Sequence, residues 1–132
     1  MIVAGVGFRR GVEAGEIVAL VEQALERAAL APEALDRLAT AEALAALPAF
    51  TQAAHRLTVA AFPVEKEALA AAAPAIRTYS ARSPAAPGVG SVAEAAALGA
   101  AGPGATLLLE RLASPSATCA LARSNPGPEA AP

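Results

Sequence analysis

The chain opens on Ile2-Val-Ala-Gly-Val-Gly7, a short β-branched apolar run that leads into Phe8-Arg9-Arg10-Gly11. A run that is apolar on both faces suits a strand buried on both, the usual state of a parallel sheet. The period then changes. Ile17, Leu20, Val21, Ala24 and Leu25 fall at i, i+3, i+4, i+7 and i+8, so residues 13–29 read as an amphipathic helix that Ala31-Pro32 closes. A buried strand, a glycine-rich loop (Gly5 to Gly11) and a helix are the start of an α/β unit.

The rest of the chain continues this alternation. Leu35 to Thr40 reads as a second strand, and Pro48 to Arg56 as a helix with proline at its first turn. Leu57 to Phe62 is the third strand, and Val64 to Ala72 a short helix after Pro63. From Pro74 to Gly90 no clear element is read, and Ser80 to Gly88 has loop composition and is long for a connection inside one domain. Ser91 to Ala101 is a helix opened by the capping box Ser91-Val-Ala-Glu94 and ended by Gly102-Pro-Gly104. Thr106 to Glu110 and Thr118 to Arg123 read as two final strands in a hairpin around Ser114-Pro-Ser116, and residues 124–132 as a disordered tail. The expected architecture is a three-layer α/β sandwich. Its mixed, mostly parallel sheet has about five strands, with helices on both faces and one domain over residues 1–123.

Composition excludes several classes of function. Although 55% of residues are apolar, the richest stretch, Val92 to Leu109, is interrupted by Glu94, Gly99, Gly102, Pro103 and Gly104. It falls short of the roughly 18 residues a spanning helix needs. The first ten residues place charge after the apolar run, the reverse of a signal peptide. The single cysteine allows no internal disulfide, so a reducing cytoplasm is the expected location. With a net charge of −2, 3% aromatic residues and no basic block, nucleic acid is not an expected partner, and neither is a membrane. No His/Cys cluster has metal-ligand spacing, so neither a metal nor another cofactor is expected.

The two glycine-rich segments carry the functional signal. In an open α/β sheet, ligands gather beyond the carboxyl ends of the strands. There Arg9 and Arg10 precede a helix start, where exposed amides and the helix dipole favour anions, and guanidinium forks match carboxylates. The alternative is that both arginines are solvated loop charges. Gly88-Val89-Gly90-Ser91 is a second cradle of the same kind, although Ser91 and Glu94 can equally serve only as a cap. The dinucleotide pattern Gly-x-Gly-x-x-Gly fails because position 10 is arginine. Glu42, just past the second strand, suits either a general acid/base or a first-turn carboxylate. The lone His55 suits a helix C-terminus, and Cys119 a small buried hydrophobe.

In order and spacing, Gly5-Val-Gly-Phe-Arg-Arg-Gly11, Thr40, Gly88-Val-Gly-Ser-Val-Ala-Glu-Ala-Ala-Ala-Leu98 and Thr118-Cys-Ala-Leu-Ala-Arg123 resemble the CobE / CbiG C-terminal domain family of cobalamin biosynthesis. The resemblance covers about residues 2–123 and is nearest to the stand-alone members of the aerobic pathway. It implies a precorrin, a tetrapyrrole with several carboxylate arms, as ligand. It also implies Gly7, Phe8, Arg9, Arg10, Gly11, Thr40, Gly88, Val89, Gly90 and Ser91 as binding residues. Two departures stand out. Phe8 occupies a position where the family often has cysteine, and the stretch after Thr40 lacks the lysine that many members carry. Binding and handling of a precorrin is therefore the expectation. The alternatives are hydrolysis of a ring-A lactone with Glu42 and Ser91 as acid/base groups, and a non-catalytic subunit that docks on another pathway enzyme.

Overall fold

A computed structural model describes residues 1–72 and 92–124. The strands are β1 (Ile2–Phe8), β2 (Leu35–Ala41), β3 (Ala60–Val64), β4 (Thr106–Ala113) and β5 (Ala117–Arg123). The helices are α1 (Ala14–Arg27), α2 (Pro48–Leu57), α3 (Lys66–Ala72) and α4 (Val92–Ala101), and short 3-10 turns precede β2 and follow it. The strands form one sheet in the order β3-β2-β1-β5-β4. β1, β2 and β3 are parallel, while β5 runs against both β1 and β4, so the sheet is mixed as expected.

Handedness explains the layers. The chain steps from β1 to β2 to β3 in one direction, and right-handed crossovers put α1 and α2 on the same face. It then returns past β1 to lay down β4, and α4 lies on the opposite face with α3 against it. Each face has its own core. Ala4, Val6, Leu38, Cys119 and Leu121 point toward α1 and α2, and their alternates Val3, Ala39 and Ala122 point toward α4. The direction of strand order reverses beside β1, so the carboxyl end of β1 is the switch point where such sheets leave a crevice.

The amphipathic face expected of α1 is the one buried: Ile17, Leu20, Val21, Ala24 and Leu25 all lie in the core. α4 has no such asymmetry. Its sequence VAEAAALGAA is buried almost all round, and small side chains let its backbone settle onto the sheet. A Cβ on Gly5 would stand 2.1 Å from the Ala93 carbonyl oxygen and 2.4 Å from the Ala97 nitrogen, so only glycine fits beneath this helix.

That contact corrects the first boundary. Gly5, Gly7 and Phe8 belong to the strand and not to a loop, because β1 stays paired with β5 as far as Phe8 opposite Ala117. The loop is confined to residues 9–13. β3 begins at Ala60 instead of Leu57, because α2 continues to Leu57 and ends on Thr58 in the left-handed conformation, φ 59°. The amides of Thr58 and Val59 then close back on the His55 and Ala54 carbonyls. Pro63 is tolerated because β3 is an edge strand. β4 runs on to Ala113, and the Ser114-Pro-Ser116 turn closes the expected hairpin with Ser114 N–H donating to the Ala117 carbonyl at 2.8 Å.

Among the described residues no helix is long and apolar enough to cross a membrane. The segment 74–90, the cap residue Ser91 and positions 125–132 of the expected tail lie outside the described residues.

Candidate functional site: the carboxyl edge of the sheet

The carboxyl end of β1 meets the starts of three helices. α1 and α2 begin there on one face, and α4 begins there on the other, with Val92 3.4 Å from where a Cβ of Gly7 would stand. The β4–β5 turn reaches the same edge because β4 runs in the direction of β1. Between β1 and α1, Arg9, Arg10 and Gly11 are exposed in a tight turn, with Val12 N–H donating to the Arg9 carbonyl at 3.0 Å.

This turn is anchored on both sides. Arg9 N–H donates to the Ser116 carbonyl at 3.0 Å. Glu16, in the first turn of α1, accepts the Ser114 hydroxyl and the Ser116 amide, the latter at 2.7 Å. The Ser114 hydroxyl first and the Ser116 amide second hold the Glu16 carboxyl below its ordinary value. Sequence reading placed Ser114 and Ser116 in the hairpin turn but did not join them to Glu16, since a contact across about a hundred residues leaves no local pattern.

The two arginines diverge. Arg10 lines a cleft of about 580 Å3 between the first turn of α1 and one side of α2, and Arg9 does not. The opposite wall is Pro48, Ala49, Gln52 and Arg56 of α2, and Glu13 stands at the mouth of α1. An Arg56 guanidinium nitrogen lies 3.6 Å from the position a Cβ of Gly15 would take, so this side chain reaches across the first turn of α1. Neither Glu13 nor Leu47, the residues preceding the two helices, caps them with a side-chain hydrogen bond. Sequence reading missed Gln52 and Arg56. Their spacing from Ala49 along one helical face was the available signal, but nothing local shows which helix they will meet.

The remaining expected site residues fall as follows. Gly7 is packed between the Thr118 hydroxyl, 3.0 Å from where its Cβ would stand, and Val92. Phe8 is half-buried and stacks on Phe50 with ring centroids 6.2 Å apart. Thr40 is fully buried, and its hydroxyl donates to the Val6 carbonyl at 2.7 Å, tying β2 to β1. Glu42 is exposed at the start of the 3-10 turn after β2. Gly88, Val89, Gly90 and Ser91 lie outside the described residues.

Glu94, beyond its place in the capping pattern, is fully buried and accepts the Arg111 amide at 3.0 Å. The register of β4 shifts between Leu109 and Leu112, and Glu94 receives an amide from within that irregularity. His55 is exposed in the last turn of α2 as expected. Cys119 is fully buried, and desolvation pushes its thiol up to about 12, so it behaves as a hydrophobe. Among the described residues no group of three or more His, Cys, Asp or Glu side chains could hold a metal.

Comparison with known proteins agrees with this fold. The family model described as cobalamin synthesis G C-terminus matches residues 2–122. Protein CobE from Sinorhizobium sp is 38% identical over 121 residues, spanning 92% of this chain and 79% of that protein. The crystal structure of CobE, a protein from the cobalamin (vitamin B12) biosynthetic pathway, superposes with a TM-score of 0.84 at 33% identity, covering 95% of this chain and 91% of the other. Cobalamin biosynthesis protein ChiG from Agrobacterium tumefaciens gives a TM-score of 0.75 at 37% identity, covering 95% and 99%. With a family model matched over residues 2–122 and a 38% identical relative spanning most of both chains, the chain belongs to the CobE / CbiG C-terminal family of cobalamin biosynthesis.

Proposed function

We propose that this chain binds a precorrin-type tetrapyrrole by its carboxylate arms at the carboxyl edge of the sheet, and holds it for a neighbouring pathway enzyme in the cytoplasm. The observation that carries this reading is the exposed Arg9-Arg10 turn at the switch point of a sheet whose family works in cobalamin synthesis. A precorrin presents several acetate and propionate arms. Each suits a guanidinium fork, which forms two parallel charge-assisted hydrogen bonds with one carboxylate.

The surroundings favour binding over turnover. The uncapped first turns of α1 and α2 add amides and dipole ends that stabilise negative charge without a proton-transfer group. Glu16 and Ser116 fix the backbone of Arg9, so the turn is organised before a ligand arrives and little ordering remains to be done on binding. Gly11 has open space around its Cβ position and leaves the approach to Arg10 clear. Gly88 to Ser91 complete the proposed surface on the sequence argument alone.

Titration of the purified protein with a defined precorrin, followed by absorbance or calorimetry, tests the reading. Saturable binding supports it, and absence of binding overturns it. The hydrolytic alternative rests on Glu42 and Ser91, with Glu42 exposed just beyond β2 at the same edge. A mass change in the precorrin after incubation would favour it, whereas recovery of the ligand intact supports holding and transfer.

A further inference from the structure

We infer that the cleft between the first turn of α1 and one side of α2 is a carboxylate subsite in which Arg10 and Arg56 clamp one acidic arm and Gln52 donates to it. The inference deepens the proposed tetrapyrrole binding and rests on it for the identity of the natural ligand, but the subsite is defined by its own geometry. Its volume of about 580 Å3 lies within the range of small-molecule pockets, and it receives guanidinium groups from two separate segments. Gly15 leaves room for the Arg56 guanidinium to lie against the first turn of α1, with a nitrogen 3.6 Å from its Cβ position.

Against the amino end of α1 that placement is electrostatically unfavourable in an empty cleft. A cation is stabilised at the carboxyl end of a helix and destabilised at the amino end. Arg56 projects from the last turn of α2, and its guanidinium reaches the amino end of α1 in the same cleft as Arg10 and the first turn of α2, so four positive features line one volume. An anion in the cleft turns each of these repulsions into an attraction. No side chain caps either helix start. Glu13 lies at the mouth of the cleft, and its charge opposes a second acidic group there, which limits the subsite to one arm.

Succinate serves as the small probe, titrated into 15N-labelled protein and followed by amide chemical shifts. The expected result is saturable shifts centred on Ala14, Gly15 and Ala49. Arg56→Ala should weaken succinate binding at least fivefold with an unchanged unfolding midpoint, and Arg27→Ala at the far end of α1 should leave it unaltered. Shifts centred elsewhere, or equal affinity in Arg56→Ala, overturn the subsite. The two readings fail separately. Succinate bound in this cleft with no precorrin binding removes the proposed function and keeps the subsite. Precorrin binding that falls in Arg9→Ala and is untouched in Arg56→Ala removes the subsite and keeps the function.

Discussion

At Gly5 the absence of one carbon decides how two layers meet. An added Cβ would overlap the backbone of α4, with the Ala93 oxygen at 2.1 Å and the Ala97 nitrogen at 2.4 Å, and backbone cannot rotate aside as a side-chain tip can. Gly5→Ala must therefore push α4 off the sheet, and by overpacking it should cost about 3 kcal/mol or more. Chemical denaturation measures this, and a loss below about 1 kcal/mol would mean that the helix rides higher than the structure places it. Thr58 is the opposite case. It is exposed and held at φ 59°, a conformation that is strained for a β-branched residue and easy for glycine. Thr58→Gly should stabilise the protein by up to about 1 kcal/mol, visible as a higher thermal midpoint.

At the level of elements, one carboxylate joins three parts of the chain that are far apart in sequence. Glu16 ties α1 to the β4–β5 turn, whose Ser116 carbonyl in turn holds the backbone of Arg9. Because its folded pKa is lowered, the contribution of this latch is present in full above the ordinary carboxylate value of 4.5. It is lost as pH falls through the folded value. Glu16→Gln should therefore lower the thermal midpoint most near neutral pH, with the gap to the parent closing below about pH 4.5. A gap of equal size at both pH values would show that charge contributes nothing to the latch. A similar tie works on the other face, where Arg37 of β2 lies 4.6 Å from the Phe62 ring centroid and donates to the Ala100 carbonyl in the last turn of α4. A cation beside the carboxyl end of a helix is a favourable arrangement, which Arg56 also has in the last turn of α2 while its guanidinium reaches the amino end of α1.

Over the whole molecule, what the sequence revealed depended on how local the cause was. The strand read over Ile2–Gly7 and the buried stripe of α1 follow from residue character and spacing, and the structure realises both, with β1 one residue longer. The glycines of β1 fit both the strand run and the glycine-rich loop in sequence, because the reason for Gly5 is a helix that starts about ninety residues later. The Arg56 wall of the cleft and the Glu16 latch were invisible for the same reason, since each joins elements that only the sheet topology brings together.

That topology also sets the last prediction. The protein carries a net charge of −2, so a polycarboxylate gains nothing from the overall field and must be held by locally concentrated positive charge. The turn at the end of β1 concentrates it, with both arginines exposed. Each charge-assisted contact contributes about 1.5–3 kcal/mol, roughly a tenfold to hundredfold factor. The double variant Arg9→Ala, Arg10→Ala should therefore weaken precorrin binding by about a hundredfold or more. Stability should stay within about 0.5 kcal/mol, because both side chains are at the surface. Added salt should weaken the parent and leave the double variant nearly unaffected, since screening acts on charges that the variant has lost. If the two proteins bind with equal affinity and equal salt dependence, the carboxylates are held elsewhere and the carboxyl edge of β1 is not the binding face.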